Sequence, residues 1–229
     1  MITLQATTIN AIKESDLTCV LPHLSAKTSD KFQRVLRRRA AVQSVIGEIL
    51  VRTYYHWILP QPTEFTYNDA GKPSIQNHPE FYFNISHSDE CVAAAFADGP
   101  IGLDVEKIRT RDEAVITSFY SSAERQMIGQ APPELRDYLY YKIWTIKEAY
   151  GKAIGTGIPK IVRGLSSIIE NEASRVAQQD RVVEGWHIST HNLSGNYVAS
   201  ICKQLSNQSV TIEQIVAQEL LEQFKSQIA

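Results

Sequence analysis

Trp144-Thr145-Ile146-Lys147-Glu148-Ala149-Tyr150-Gly151-Lys152 reads as a helix, and the rest of the chain is organised around it. At about 3.6 residues per turn, Trp144, Glu148 and Lys152 stand four apart on one face, so an indole, a carboxylate and an ammonium line one wall. Lys147 is turned roughly 100° away from Glu148. Upstream, Gly102-Leu103-Asp104-Val105-Glu106-Lys107 reads as a strand, whose period of two puts Asp104 and Glu106 on the same side. Taken alone, that pair is a solvent-facing strand edge. Taken with Glu148 and Lys152, it suggests a hard divalent cation held by carboxylates beside a lysine, a centre suited to a pyrophosphate-bearing substrate.

Around this stretch the helical pattern extends from Leu135 to Ala153, begins after Pro132-Pro133, and loosens at Gly151, Gly155 and Gly157. Before it, Ser121 and Glu124 have the spacing of a capping box, a structural role that outweighs catalysis for Glu124. Phe81 to Ser88 and Cys91 to Ala97 read as two strands joined at Asp89-Glu90, a hairpin. Ser86 and His87 are neighbours on a strand and face opposite sides, so they do not form a nucleophile and base; binding, or a hydrogen bond at the strand end, is the reading for both. Phe65-Thr66-Tyr67 leads into the turn formers Asn68-Asp69-Ala70-Gly71-Lys72-Pro73, whose spacing is not that of a Walker A loop.

An opening strand and a loop at Pro22 are expected at the N-terminus. From Ser29, apolar residues recur at helical spacing through Trp57, in one or two helices that stop before Pro60. Their polar side carries Lys31, Arg34, Arg37, Arg38 and Arg39, followed by Ser44: a solvated face, or a phosphate clamp. Beyond the central helix, strands are expected near Val162 to Leu165, Trp186 to Ile188 and Tyr197 to Ile201. Ile212, Ile215, Val216, Leu220, Leu221 and Phe224 predict a final amphipathic helix.

The chain has 229 residues, 43% of them hydrophobic and 21% charged, which predicts a globular protein and excludes a disordered one. Lys+Arg 23 against Asp+Glu 25 leaves a net charge of −2, without the basic footprint of a nucleic-acid binder. Cys19, Cys91 and Cys202 are odd in number and widely spaced, which argues against a disulfide framework or zinc site and for a reducing compartment. The start lacks a basic segment followed by an apolar one, and no apolar run approaches the roughly 18 residues of a membrane span. A cytoplasmic location without membrane partners is the expectation.

Read in order, Gly71-Lys72-Pro73, Phe83-Asn84-Ile85-Ser86-His87-Ser88, Gly102 to Glu106, Phe119-Tyr120-Ser121 and Trp144 to Lys152 form a set that resembles the 4′-phosphopantetheinyl transferases, in their large, surfactin-synthetase-activating class. The resemblance covers residues 25 to 165. It implies a monomeric α+β fold of two similar halves related by a pseudo-twofold, each a long helix packed on an antiparallel sheet. The division falls at 1–102 and 103–229, with coenzyme A in the cleft between. The small trimeric class is about half this length.

That resemblance implies transfer of the phosphopantetheine arm of coenzyme A to a serine of an apo acyl or peptidyl carrier protein, with release of adenosine 3′,5′-bisphosphate. It implies Mg²⁺ on Asp104, Glu106 and Glu148, with Glu148 as the alternative general base, and Lys152 neutralising phosphate. Gly71, Lys72, Pro73, Ser86 and His87 would hold adenine and the 3′-phosphate, with Lys31 and Ser44, and less directly Arg38 and Arg39, as further phosphate contacts. Phe119 and Tyr120 either touch a carrier helix or pack in the core. Two alternatives are disfavoured: a coenzyme A or nucleotide-binding module without catalysis, which would tolerate loss of Glu148 or Lys152, and a magnesium-dependent pyrophosphohydrolase that uses water in place of the carrier serine, against which the 3′-phosphate contacts argue.

Overall fold

The computed structural model describes residues 1–34, 38–56, 64–156, 164–169, 174–179, 181–204 and 209–228; Arg37, Trp57, Pro60, Gly157 and Val162 lie outside them. The elements run β1 (Ile2–Thr8), α1 (Glu14–Leu17), α2 (Ala26–Arg34), α3 (Arg38–Tyr55), β2 (Phe65–Tyr67), β3 (Pro73–Ile75), β4 (Tyr82–Ser88), β5 (Cys91–Ala97) and β6 (Ile101–Lys107). They continue with α4 (Glu113–Phe119), α5 (Ser122–Gln130), α6 (Pro133–Ile154), β7 (Leu165–Ile169), β8 (Ser174–Gln178), β9 (Arg181–Val182), β10 (Trp186–Leu193), β11 (Tyr197–Gln204), β12 (Val210–Gln214) and α7 (Ala217–Ile228). Pro22 lies in a single 3₁₀ turn.

The fold is α+β; among the described residues two larger sheets are ordered β12-β1-β5-β4 and β6-β11-β10-β8-β7, with β9 on β8, and β2 and β3 form a small third sheet. Alternation along the central strands explains the layers. On β5, Val92, Ala94 and Phe96 pack with Val45, Ile46, Ile49 and Leu50 of α3. The intervening Cys91, Ala93 and Ala95 meet Ile101, Leu103 and Val105 of β6. Three alanines on β5 keep those layers thin. On the far side Ile146, Ala149, Tyr150 and Ala153 of α6 pack on Leu165, Val176, Ile188 and Cys202. Each half is therefore a long helix on a sheet, as expected.

Three expectations are corrected. The first sheet is not wholly antiparallel, because β12 pairs with β1 in parallel, Ile2 opposite Val210. Ile212 belongs to that strand and not to the last helix: Val210-Thr211-Ile212 is a β-branched run that finds an open sheet edge, and α7 starts at Ala217. Residues 210–228 thus join the first half in space, α7 burying Leu220, Leu221 and Phe224 against α3. β8, β9 and α4 were not foreseen; α4 is capped by Asp112, whose carboxylate accepts from Ala114 N and Val115 N. The hairpin turn at Asp89 (φ 52°) and the capping box at Ser121 and Glu124 stand where expected.

With Ile101, Leu103 and Val105 turned into the core, period two turns Gly102, Asp104 and Glu106 the other way. Gly102 faces α6 so closely that a Cβ there would stand 2.0 Å from Ala149 O, 2.4 Å from Ala153 N and 2.9 Å from Ala153 Cα. These are backbone atoms with no freedom to yield. Gly102→Ala is expected to cost about 3 kcal/mol, the upper end of overpacking losses, read as a lowered denaturation midpoint with unchanged slope.

The remaining edge of β6 faces β4 without a regular ladder. Instead Asn84 Oδ1, Ser86 Oγ and Ser88 Oγ, spaced by two on β4, accept from Leu103 N (2.8 Å), Val105 N (3.2 Å) and Lys107 N (3.2 Å). Side chains of one half satisfy the backbone of the other, and the carboxylate strand is held in register.

Candidate active site

The same two serines that receive β6 amides turn their protons toward its carboxylates. Ser86 Oγ donates to Asp104 Oδ1 at 3.0 Å and Ser88 Oγ to Glu106 Oε2 at 2.5 Å. From α6, Lys152 Nζ donates to Asp104 Oδ1 (2.7 Å) and to Ser86 Oγ (2.9 Å). Asp104 Oδ2 is buried without a hydrogen-bond partner, and Glu148 has none among the described residues. Burial, then the Asp104 charge, pushes Glu148 up to about 8; burial and Asp104 likewise push Glu106 up to about 7. Burial raises Asp104 too, opposed chiefly by Lys152. Three carboxylates and one lysine thus share a centre with surplus negative charge.

Among the described residues, no three His, Cys, Asp or Glu side chains form a ready metal-ligand group. Positive charge at Asp104 is supplied by Lys152. The chemistry nevertheless suits a hard cation: carboxylate oxygens, one of them buried and unpartnered, whose negative charges raise one another's pKa.

A second centre lies on the other face of β4. A cavity of about 280 Å³ is lined by Lys27, Lys31, Ser44, Tyr67, Gly71, Pro73 and His87 among others. Lys31 Nζ donates to Ser44 Oγ at 2.6 Å, and burial together with Lys27 lowers the Lys31 pKa. Glu48, also on the wall, is spent on a buried pair with Arg52 at 2.8 Å and on Ser25 N at 2.6 Å. The two lysines are thus left as uncompensated positive charge. His87 stands on the cavity wall with its ring partly exposed, and desolvation there, with the charges of Lys152 and Lys31, lowers its pKa. Lys27 was missed in the sequence, although it precedes Lys31 by one helical turn on α2. It packs its ammonium 3.5 Å over the Tyr67 ring.

Other predicted residues lie elsewhere. Lys72 directs its ammonium away from the 280 Å³ cavity onto the carbonyls of Ile101 and Lys152. Arg38 pairs with Glu14 at 3.6 Å, and Arg39 with Asp89. Lys147 is fully buried against Glu124 at 2.7 Å. Tyr120 is core: it stacks on Tyr140 at 5.2 Å and donates to Tyr140 O at 2.9 Å. Phe119 and Trp144 form an edge-on pair at 5.9 Å in the same aromatic cluster, so the indole packs away from the carboxylates.

The profile of the 4′-phosphopantetheinyl transferase superfamily matches residues 100–202, the span from β6 through β11. The chain is 30% identical to the 4′-phosphopantetheinyl transferase gsp of Aneurinibacillus migulanus, over 88% of this chain and 86% of that protein. It is 27% identical to psf-1 of Bacillus pumilus over 79% of each chain, and 25% identical to Sfp of Bacillus subtilis over 86% of this chain and 90% of that one. With such similarity sustained over both halves, and the profile spanning the strand of Asp104 and the helix of Glu148 and Lys152, the chain belongs to the 4′-phosphopantetheinyl transferase superfamily of enzymes.

Proposed function

We propose that this protein moves the 4′-phosphopantetheine group of coenzyme A onto a serine of an apo acyl or peptidyl carrier protein, with Mg²⁺, releasing adenosine 3′,5′-bisphosphate. The observation that carries this reading is the pair of charge-selective centres back to back on the end of β4. His87 faces the Lys27 and Lys31 cavity, while Ser86 faces Asp104 and Lys152. A ligand with a phosphate monoester and a pyrophosphate on one ribose straddles them, and coenzyme A has that form.

In this reading Lys27, Lys31 and Ser44 bind the 3′-phosphate, and Gly71 and Pro73 border the adenosine. Glu148, free of hydrogen-bond donors among the described residues, accepts the proton of the carrier serine. The serine oxygen forms the new bond to the pantetheine-side phosphorus. The bond from that phosphorus to the bridging oxygen breaks, and the leaving phosphate's charge is met by Lys152. Asp104, Glu106 and Glu148 would hold the Mg²⁺, which when bound supplies charge neutralisation on the pyrophosphate.

Both halves of the cleft come from one chain, which supports a monomer. Cys19, Cys91 and Cys202 are all free, which supports a reducing, cytoplasmic setting. Separately, no helix among the described residues is long and apolar enough to cross a membrane.

The test is incubation with coenzyme A, Mg²⁺ and a panel of apo carriers, each then weighed by mass spectrometry. A phosphopantetheine increment on one or more carriers is the expected result. Unmodified carriers throughout would overturn the reading, and coenzyme A cleaved without any carrier adduct would replace it with a hydrolase. A finer expectation concerns Lys31→Ala: calorimetry should show coenzyme A binding weakened about tenfold, the scale of a charge-assisted hydrogen bond, with 3′-dephospho-coenzyme A unaffected.

A further inference from the structure

The loop before β3 closes on itself and then on the catalytic helix. Asn68 Oδ1 accepts from Lys72 N at 2.9 Å, and Asn68 O from Gly71 N at 2.8 Å, with Gly71 in the left-handed region at φ 81°. From this compact turn two side chains reach the end of α6. Asn68 Nδ2 donates to Gly155 O at 3.0 Å. Lys72 Nζ donates to Lys152 O at 2.8 Å, to Ala153 O at 3.4 Å and to Ile101 O at 2.8 Å.

A helix leaves its last carbonyls unpaired and its C-terminal end partially negative, so an ammonium there is well placed. Lys72 does more than cap. Ile101 opens the strand that carries Asp104, and Lys152 carries the ammonium that meets Asp104. Gly102, whose closeness to Ala149 and Ala153 admits no side chain, marks the same junction.

We infer that Lys72 is a positioning residue: its ammonium staples the start of β6 to the last turn of α6 and so sets where Lys152 stands relative to Asp104. Its ammonium acts through two backbones, whereas the family resemblance gives the Gly71-Lys72-Pro73 loop a binding role. Three acceptors are carbonyls and none is a carboxylate. Burial pushes the ammonium down to about 8, yet carbonyl dipoles and the helix end hold it in place.

The kinetic consequence rests on the transferase reading above; the effect on the helix end does not. Lys72→Met and Lys72→Arg are compared with wild type by steady-state transfer, by calorimetric binding of coenzyme A, and by hydrogen–deuterium exchange over residues 150–156. Lys72→Met is expected to lower kcat by about 10²-fold, the effect of a misplacement near 1 Å, with the Kd of coenzyme A within about twofold. Exchange at 150–156 should rise by about tenfold. Lys72→Arg, which keeps a cation and its donors, should recover at least part of both.

Coenzyme A binding weakened more than tenfold with kcat intact would make Lys72 a substrate ligand and overturn the inference. Unchanged exchange at the helix end would overturn it equally. If wild type modified no carrier, the transferase reading would fail while the exchange result still decided the role of Lys72. Should Lys72→Met not fold, Asn68→Ala keeps the Lys72 ammonium and removes the companion bond to Gly155 O together with the bond that Asn68 Oδ1 accepts from Lys72 N; it is expected to shift exchange and kcat in the same direction by a smaller factor, and no shift would count against the staple.

Discussion

Asp104→Ala is expected to lower transfer to carrier by about 10³-fold or more, since it removes both a carboxylate of the proposed metal centre and the partner of Lys152. Carrier mass spectrometry and kcat/KM measure this, and chelation of divalent ions should abolish wild-type transfer in the same assay. The fold is expected to survive, because the substitution also relieves repulsion. Glu148 and Glu106 sit at about 8 and about 7, above an ordinary 4.5, with Asp104 among the causes. In the metal-free protein these two glutamates therefore bind more protons in the folded than in the unfolded chain between about pH 4.5 and 8, and their contribution to stability falls as pH rises through that window, most cleanly above about pH 6.5, where the lowered His87 no longer opposes it. Without Asp104 both values move down and the fall becomes shallower. Melting curves from pH 5 to 8 in EDTA test the sign. Transfer at a wild-type rate by Asp104→Ala would remove this residue from the centre altogether.

Lys147→Met should be the most damaging substitution for stability, by about 3 kcal/mol or more in denaturant titration. The Lys147 ammonium is shut from solvent and donates to Glu124 Oε2 at 2.7 Å and to Phe119 O at 2.9 Å, 5.0 Å above the Tyr120 ring. Removing it strands the Glu124 charge. That carboxylate still accepts from Ser121 N at 2.7 Å, Ser167 N at 2.7 Å and Ser167 Oγ at 2.8 Å, which keeps the loss near the lower end for a broken buried pair. Glu124→Gln combined with Lys147→Met should recover part of it, since no unpaired charge remains. Per folded molecule, transfer should persist. Normal stability with lost turnover would instead make Lys147 catalytic.

Much of this was legible in the residues. Helical spacing predicted that Glu148 and Lys152 share a face, and period two that Asp104 and Glu106 do; Lys152 meets Asp104 at 2.7 Å. Opposite facing of Ser86 and His87 was predicted by the same alternation, and they serve the two different centres. Lys27 was legible in principle, one turn from Lys31, but nothing local distinguishes it from a solvated lysine. Ile212 misled because an apolar residue beside a helical pattern also suits an edge strand, and only the open edge of β1 selects the strand.

The sequence by itself determined which side chains share a face, because backbone periodicity is local: 3.6 for α6, two for β4 and β6. The tertiary structure alone decided which partner each lysine meets. Lys72, Lys147 and Lys152 are long, flexible and identical in chemistry. One ends on helix carbonyls 80 residues away, one on a buried glutamate 23 residues back, and one on a carboxylate 48 residues back. Such partners are set by packing of distant segments, which Gly102 and the alanines of β5 make close enough to bring the two centres onto one strand.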